Sequence, residues 1–395
     1  MEIRKALPED KNIIRKLWEY CFNDSKEFLD HYFTNIYSSE NTVTCIEDNN
    51  ITTTLQLNPC SFQFLDKTVL TNYIVGISSF PESRGSGAVK KLFQWVFNDL
   101  YNKNMPFAVL MAVDYGLYRP YSFNNIQDKY IMSGKTKLLR QKTKKKLKFN
   151  LVTQETLETD SVKLSNYLKN NISNKYSIYI HRDPQKFKNN LLELFSDKGF
   201  ACYTTLNDEI TGYFLYYFEN TKFVVKELFY NESETLKEIL QFIYNHNTQQ
   251  EDFEIRDDFY KITNLFIQNP RETDTKIMPF LMARVINLKE FLILSDIHNK
   301  VSKEIRILFS DEQIKENNII GIIKPGEINY SEVKEDSSYD ISIDISLLSP
   351  LFFGTLSFEE AWSMTDLYKA LDINNSKYFM KLFAKKEKIF FNEYV

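Results

Sequence analysis

Phe80-Pro81-Glu82-Ser83-Arg84-Gly85-Ser86-Gly87-Ala88-Val89 is the stretch whose reading decides the fold of this chain. Upstream of it, Asn72-Tyr73-Ile74-Val75-Gly76-Ile77-Ser78-Ser79 is a continuous apolar run with the character of a buried strand. Downstream, Leu92, Phe93, Val96 and Leu100 follow Val89 at the spacing of one buried helical face. A strand, a glycine turn and a helix start together form an anion site, because unpaired backbone N–H groups and the positive end of the helix dipole converge there. Gly85 and Gly87 lack Cβ atoms, so a pyrophosphate can approach the main chain, and Arg84 adds a guanidinium at the rim. A second buried strand, Phe107–Val113, then leads into the tyrosine turn Tyr118-Arg119-Pro120-Tyr121-Ser122-Phe123.

Working outward, 395 residues are too many for one ordinary core and predict two or three domains. A content of 43% hydrophobic and 15% aromatic residues buries enough apolar area to offset chain entropy, so the chain is folded. A formal charge of −4 argues against a duplex-binding protein. The four cysteines (Cys21, Cys45, Cys60, Cys202) have no C-x-x-C spacing, the start Met1–Lys5 is no signal peptide, and no apolar run approaches the ~20 residues of a membrane span. A reduced, cytoplasmic protein is expected.

The first 80 residues predict a strand at 2–7, a helix capped by Asp10, and a second helix opened by Asp24-Ser25. Short β-runs follow at Thr42–Ile46, Ile51–Leu57, Cys60–Leu65 and Thr68–Ser79. Residues 135–148 carry eight cations without interleaved aromatics, the pattern of a solvated strand edge or linker rather than a nucleic-acid stripe. Ser133-Gly134-Lys135-Thr136 imitates the tail of a P-loop, but Lys129 stands where its first glycine belongs. From 149 to 285 the order of elements repeats in outline, with Asp183-Pro184 opening a helix. The only glycines between 151 and 290 are Gly199 and Gly212, and neither lies between a strand and a helix start. The second copy is therefore expected not to bind the anion. Beyond 285 the pattern changes again: one helix over Leu288–Val301, strands at 304–309, 319–324 and 339–344, and a helix ending at Gly354. The apolar ending Ile389–Val395 predicts a docked C-terminus.

Arg84-x-x-Gly87-x-Val89 resembles motif A of the GNAT acetyltransferases, with Val89 at the position of a usual small residue. Ile77–Gly87, Tyr118–Phe123, Met282–Val285 and Leu347–Gly354 together resemble the Eis (enhanced intracellular survival) family of bacterial N-acetyltransferases. The resemblance implies an α+β chain of two tandem GNAT folds and a sterol-carrier-protein-like domain, over 1–147, 148–285 and 286–395. It implies acetyl-CoA as cosubstrate, no metal, and a primary amine as acceptor: aminoglycoside-like, polyamine or lysine. The backbone of Ile77 and Ser79, with Arg84, Gly85, Ser86, Gly87 and Ala88, would hold coenzyme A. Tyr118 would be the general acid and the carboxylate of Val395 the general base. The family turn more often has Gly where this chain has Pro120 or Ser122. A homo-oligomer, a hexamer, is implied as well. The competing class is a lipid or small-ligand carrier that works through the C-terminal domain over a structural GNAT domain. Nucleic acid is expected in neither case.

Overall fold

The strand-and-helix alternation of the first 135 residues folds as β1 (Glu2–Lys5), α1 (Lys11–Cys21), α2 (Lys26–Asn35), β2 (Thr42–Glu47), β3 (Asn50–Phe64), β4 (Lys67–Ser79), α3 (Ala88–Asn102), β5 (Phe107–Met111) and β6 (Asn124–Lys135). The structure is a computed structural model that describes residues 1–143, 147–364, 373–383 and 388–394. Two predicted runs, Ile51–Leu57 and Cys60–Leu65, are one strand, β3. Pro59 is tolerated inside it because β2 pairs only as far as Gln56 and the next neighbour on that edge starts at Phe62. Asp10 does not cap α1. Its carboxylate instead accepts from the Leu7 N–H and from Arg4 (2.7 and 2.6 Å). Ser25 does cap α2, accepting from the Phe28 N–H.

The middle of the chain supplies β7 (Lys148–Leu151), α4 (Leu157–Asn171), β8 (Ile178–Ile180), α5 (Pro184–Ser196), β9 (Phe200–Leu206), β10 (Glu209–Glu219), β11 (Lys222–Tyr230), α6 (Ser233–Tyr244), β12 (Asp252–Arg256), α7 (Tyr260–Thr263) and β13 (Asp274–Val285). Asp183 caps α5 through the Lys186 N–H, with Pro184 in the first turn. The two halves share one sheet in the order β1-β2-β3-β4-β5-β13-β6-β12-β11-β10-β9-β7. Each half has one parallel pair, β4/β5 and β11/β12, in an otherwise antiparallel arrangement. Their last strands are exchanged. β6 completes the second half beside β12, β13 completes the first beside β5, and the two pair with each other.

The last third contains α8 (Leu288–Leu294), α9 (Ile297–Lys300), β14 (Ile305–Ser310), β15 (Ile319–Lys324), β16 (Glu327–Glu332), β17 (Ile341–Asp344), α10 (Ile345–Phe353), α11 (Phe358–Met364), α12 (Ile373–Leu382) and β18 (Ile389–Phe390). The single helix expected over Leu288–Val301 is broken at Asp296, whose φ of +58° lies in the left-handed region. Four strands make a separate sheet, β16-β15-β14-β17. α10 stops at Gly354, which takes φ +79°. Phe291, Phe352 and Phe353 share one continuous core with Phe62, Phe64 and Phe107 of the first half, so this sheet and its helices pack directly on the first. Each of these rings contributes roughly 1.5–3 kcal/mol of burial.

The C-terminal segment is docked, as its apolar composition predicted. β18 adds to β8 in parallel register, and Phe391 stacks on Phe62 (5.8 Å between centroids). Gln127 and Lys129 donate to the carbonyls of Ile389 and Phe391. Buried Arg182 holds Glu227 with a two-pronged bond and Glu393 through Nε (2.7 Å). Burial pushes the Glu393 carboxyl up, and Arg182 beside it more than offsets this, leaving it below its ordinary range. This contact is therefore fully present at neutral pH and is lost only as acid takes the pH through that lowered value. Val395 lies outside the described residues.

Candidate active site

The site begins at a bulge in β4. Thr54 and Gln56 of β3 face Ser78 and Val75, so β4 carries one extra residue there. Gly76 takes φ +59°, and an added Cβ would lie 2.0 Å from Gln56 Oε1 and 2.2 Å from Trp18 Cζ3. Both conformation and space therefore demand glycine. Gly76→Ala is expected to destabilise the fold by about 2–4 kcal/mol, adding left-handed strain to overpacking. A melt unchanged from the parent would show that the bulge relaxes freely.

Beyond the bulge the sheet opens. β4 pairs with β5 only from Asn72 to Ile74 and then runs on to Ser79 paired with β3 alone, while β5 turns its other edge to β13. The Phe80 N–H donates to Thr52 of β3 (3.1 Å), so strand alternation turns the Ile77 and Ser79 amides toward the open side. An extended ligand arm can add there as a strand would. The chain then makes one 3-10 turn, Pro81–Ser83, and enters α3 through Gly85 (φ +82°) and Gly87 (φ +87°). An added Cβ on either glycine would meet nothing within 4 Å, so the backbone faces open space. The first helical bond of α3 is Lys91 N–H to Gly87 O. The amides of the residues from Gly87 to Lys90 precede it at the cradle end, that of Ala88 already donating to Ser86 Oγ (3.3 Å). Two of the expected residues are turned elsewhere. Ser86 Oγ donates to Glu47 (3.2 Å) and accepts from the Ala88 N–H. Exposed Arg84 folds back, its Nε donating to Ser79 O (3.3 Å). To meet a phosphate it must swing out, which its exposure allows.

The tyrosine turn packs on the same helix. Tyr118 meets Phe93 of α3 edge-on (6.4 Å between centroids) and Tyr121 lies over that ring at 4.4 Å. Tyr118 is half-buried at the rim of the core that also carries Ile77, Val89 and Ala112. Burial, and secondarily the charge of Asp114, pushes its phenol above the ordinary value. Ser122 occupies φ +62°, the left-handed region that favours glycine, so the departure from the usual glycine is accommodated as strain in the turn.

A cavity of 590 Å³ opens beside the end of β5. It is lined by Met111, by Asp24 ahead of α2, by Glu193 and Asp197 at the end of α5, and by Lys226, Arg256 and Tyr394. Lys226 sits at a second bulge, in β11, pairs with Glu193 (2.9 Å) and lies over the Tyr394 ring at 4.3 Å. Arg256 donates to the Tyr394 hydroxyl. Burial pushes the carboxyls of Glu193 and Asp197 up. Sequence reading missed this cavity, because its walls come from separate elements with no common spacing. Gly76 was legible as an isolated glycine inside a strand.

In the second half, the equivalent strand–helix turn runs from Tyr230 through Asn231 to an α6 start carrying Glu232 and Glu234. Two carboxylates there disfavour a second anion.

Residues 2–126 match a family model described as an acetyltransferase (GNAT) domain, and residues 179–285 match a second model of the same description. A search of curated proteins returned no match. Among solved structures, the chain is similar to a probable N-acyltransferase from Enterococcus faecalis (17% identity, TM-score 0.79, 98% of this chain and 99% of that one). It is similar to a GCN5-related N-acetyltransferase from Anabaena variabilis (16% identity, TM-score 0.81, 98% of each chain). Eis1 from Mycobacterium abscessus superposes with a TM-score of 0.74 at 11% identity over 100% of both chains. At these identities the structural likeness speaks for the fold, here two tandem GNAT domains followed by a third unit.

Proposed function

We propose that this chain, an N-acetyltransferase by its two GNAT domains, binds acetyl-CoA once, in the first domain, and transfers the acetyl group to a cationic primary amine. The observation that carries the reading is the opening of β4 from β5 above the glycine-led start of α3. Coenzyme A would lay its pyrophosphate on the amides at Gly85–Ala88, with Arg84 at the rim, and its pantetheine arm along Ile77 and Ser79. The 590 Å³ cavity would admit the acceptor, whose ammonium suits Asp24 and Asp197. Aminoglycoside-like, polyamine and lysine amines all have that chemistry.

In the reaction the amine nitrogen attacks the thioester carbonyl. A C–N bond forms, the C–S bond breaks, one proton leaves nitrogen and one reaches sulfur. Tyr118 would serve the leaving sulfur. A phenol held above pKa ~10 cannot fully protonate a thiolate whose conjugate acid lies near ~8.5 without cost. Its role is thus a hydrogen bond that strengthens as the C–S bond breaks, with the proton following in concert. The amine proton would go to the carboxylate of Val395. Support for this comes from Tyr394, the preceding residue, which lines the acceptor cavity.

Calorimetry with acetyl-CoA tests the binding half. One equivalent per chain is expected, and Arg84→Ala should weaken it by roughly 1.5–3 kcal/mol, the range of a bond to a charged group. Two equivalents per chain, or none, would overturn the reading.

A further inference from the structure

Arg284 is 0% exposed, and its guanidinium joins three parts of the chain. It projects from β13, the strand that the second domain lends to the first. Nη2 binds both oxygens of Asp311 (2.8 and 2.9 Å), in the segment between β14 and β15. Nη1 donates to the carbonyl of Tyr121 (2.6 Å), and the group lies 4.3 Å from the Phe97 ring centroid. Asp311 is itself held by the N–H groups of Gln313 and Ile314 and by Asn317. Gln313 then reaches back to the carbonyl of Pro120 (3.2 Å). Two consecutive carbonyls of the turn that follows Tyr118 are therefore held by side chains from outside the first domain.

A salt bridge that served only stability would not need this geometry. A fully buried ion pair gains little over apolar packing, whereas a planar fork with one prong on a carboxylate and one on a carbonyl sets direction as well as distance. The turn it holds is strained at Ser122 and contains no strand or α-helix of its own. Besides the clamp, the turn is held by its own backbone hydrogen bonds and by the packing of Tyr118, Tyr121 and Phe123 on Phe93 and Phe97.

We infer that Arg284 and Gln313 are positioning residues that fix the Tyr118 turn, so that the C-terminal domain sets the geometry of acetyl transfer. The inference rests on the role proposed above for Tyr118, and goes beyond it by assigning the C-terminal domain a part in turnover. A misplacement of 1 Å at a reacting group is worth up to ~10²-fold in rate, which bounds the effect.

The test uses Arg284→Lys, which keeps the charge and loses the fork, and Gln313→Ala at a half-buried position, which keeps the assay informative should the first variant fold poorly. Expected results are a kcat lower by ~10–100-fold for Arg284→Lys and about fivefold for Gln313→Ala, with acetyl-CoA affinity within twofold of the parent. The alkaline limb of kcat should move down toward the ordinary phenol range as the loosened turn hydrates Tyr118. In a Tyr118→Phe background neither substitution should cost anything further. Full kcat in the folded variants, or an undiminished loss in the Tyr118→Phe background, overturns the clamp while leaving the role of Tyr118 intact. Full activity of Tyr118→Phe alone overturns the role of Tyr118, and the clamp with it.

Discussion

Tyr118→Phe is expected to bind acetyl-CoA with unchanged affinity and to turn over ~10²–10⁴-fold more slowly, the usual worth of acid–base assistance. The substitution removes one oxygen from a half-buried ring and leaves its edge-on contact with Phe93 in place, so the melting temperature should hardly move. The pH dependence carries the same information. Burial raises the Tyr118 phenol, so the protonated, hydrogen-bonding form persists above the usual phenol range. On the alkaline side the parent enzyme should therefore hold its kcat up to pH values above ~10, and the Phe variant should lack that limb. Steady-state kinetics across pH, with calorimetry for the cofactor, makes the check. Unchanged turnover in the Phe variant assigns the acid elsewhere, and Tyr115, whose buried hydroxyl has no hydrogen-bond partner among the described residues, becomes the next group to test.

Extending the chain by a few residues beyond Val395 is expected to cost ~10²-fold or more in kcat while leaving acetyl-CoA binding intact. The extension moves the carboxylate away and leaves a neutral amide in its place. Val395→Phe should stay active, since the proposed role belongs to the main chain and not to the side chain. Tail docking makes the comparison clean. Glu393 on Arg182, Phe391 on Phe62 and the Lys129 contact are made upstream of the added residues. A melt matching that of the parent verifies that docking survives. Full activity of the extended chain would move the base to a carboxylate of the cavity proposed for the acceptor, which Asp24, Glu193 and Asp197 line.

By itself the sequence determined the local parts of this protein. The strand, the glycine turn and the helix face from Asn72 to Leu100 were legible because each obeys a short-range rule: apolar continuity, freedom of φ, and 3.6-residue spacing. The caps at Ser25 and Asp183 and the stop at Gly354 were legible for the same reason. The absence of a glycine turn in the second repeat was plain from composition alone, and so was the apolar tail.

Other features were decided only by tertiary structure. Pro59 reads as a break between two strands, and is tolerated because the neighbouring strand has already ended. Asp10 reads as a cap, and is diverted by Arg4 across six residues of chain. The exchange of β6 and β13 has no local signature, since either strand can satisfy the backbone hydrogen bonds of either half. The 590 Å³ cavity and the Arg284 contacts share that property. Their members lie up to several hundred residues apart, and what unites them is burial: a charge removed from water is bound to its partner wherever the fold brings one.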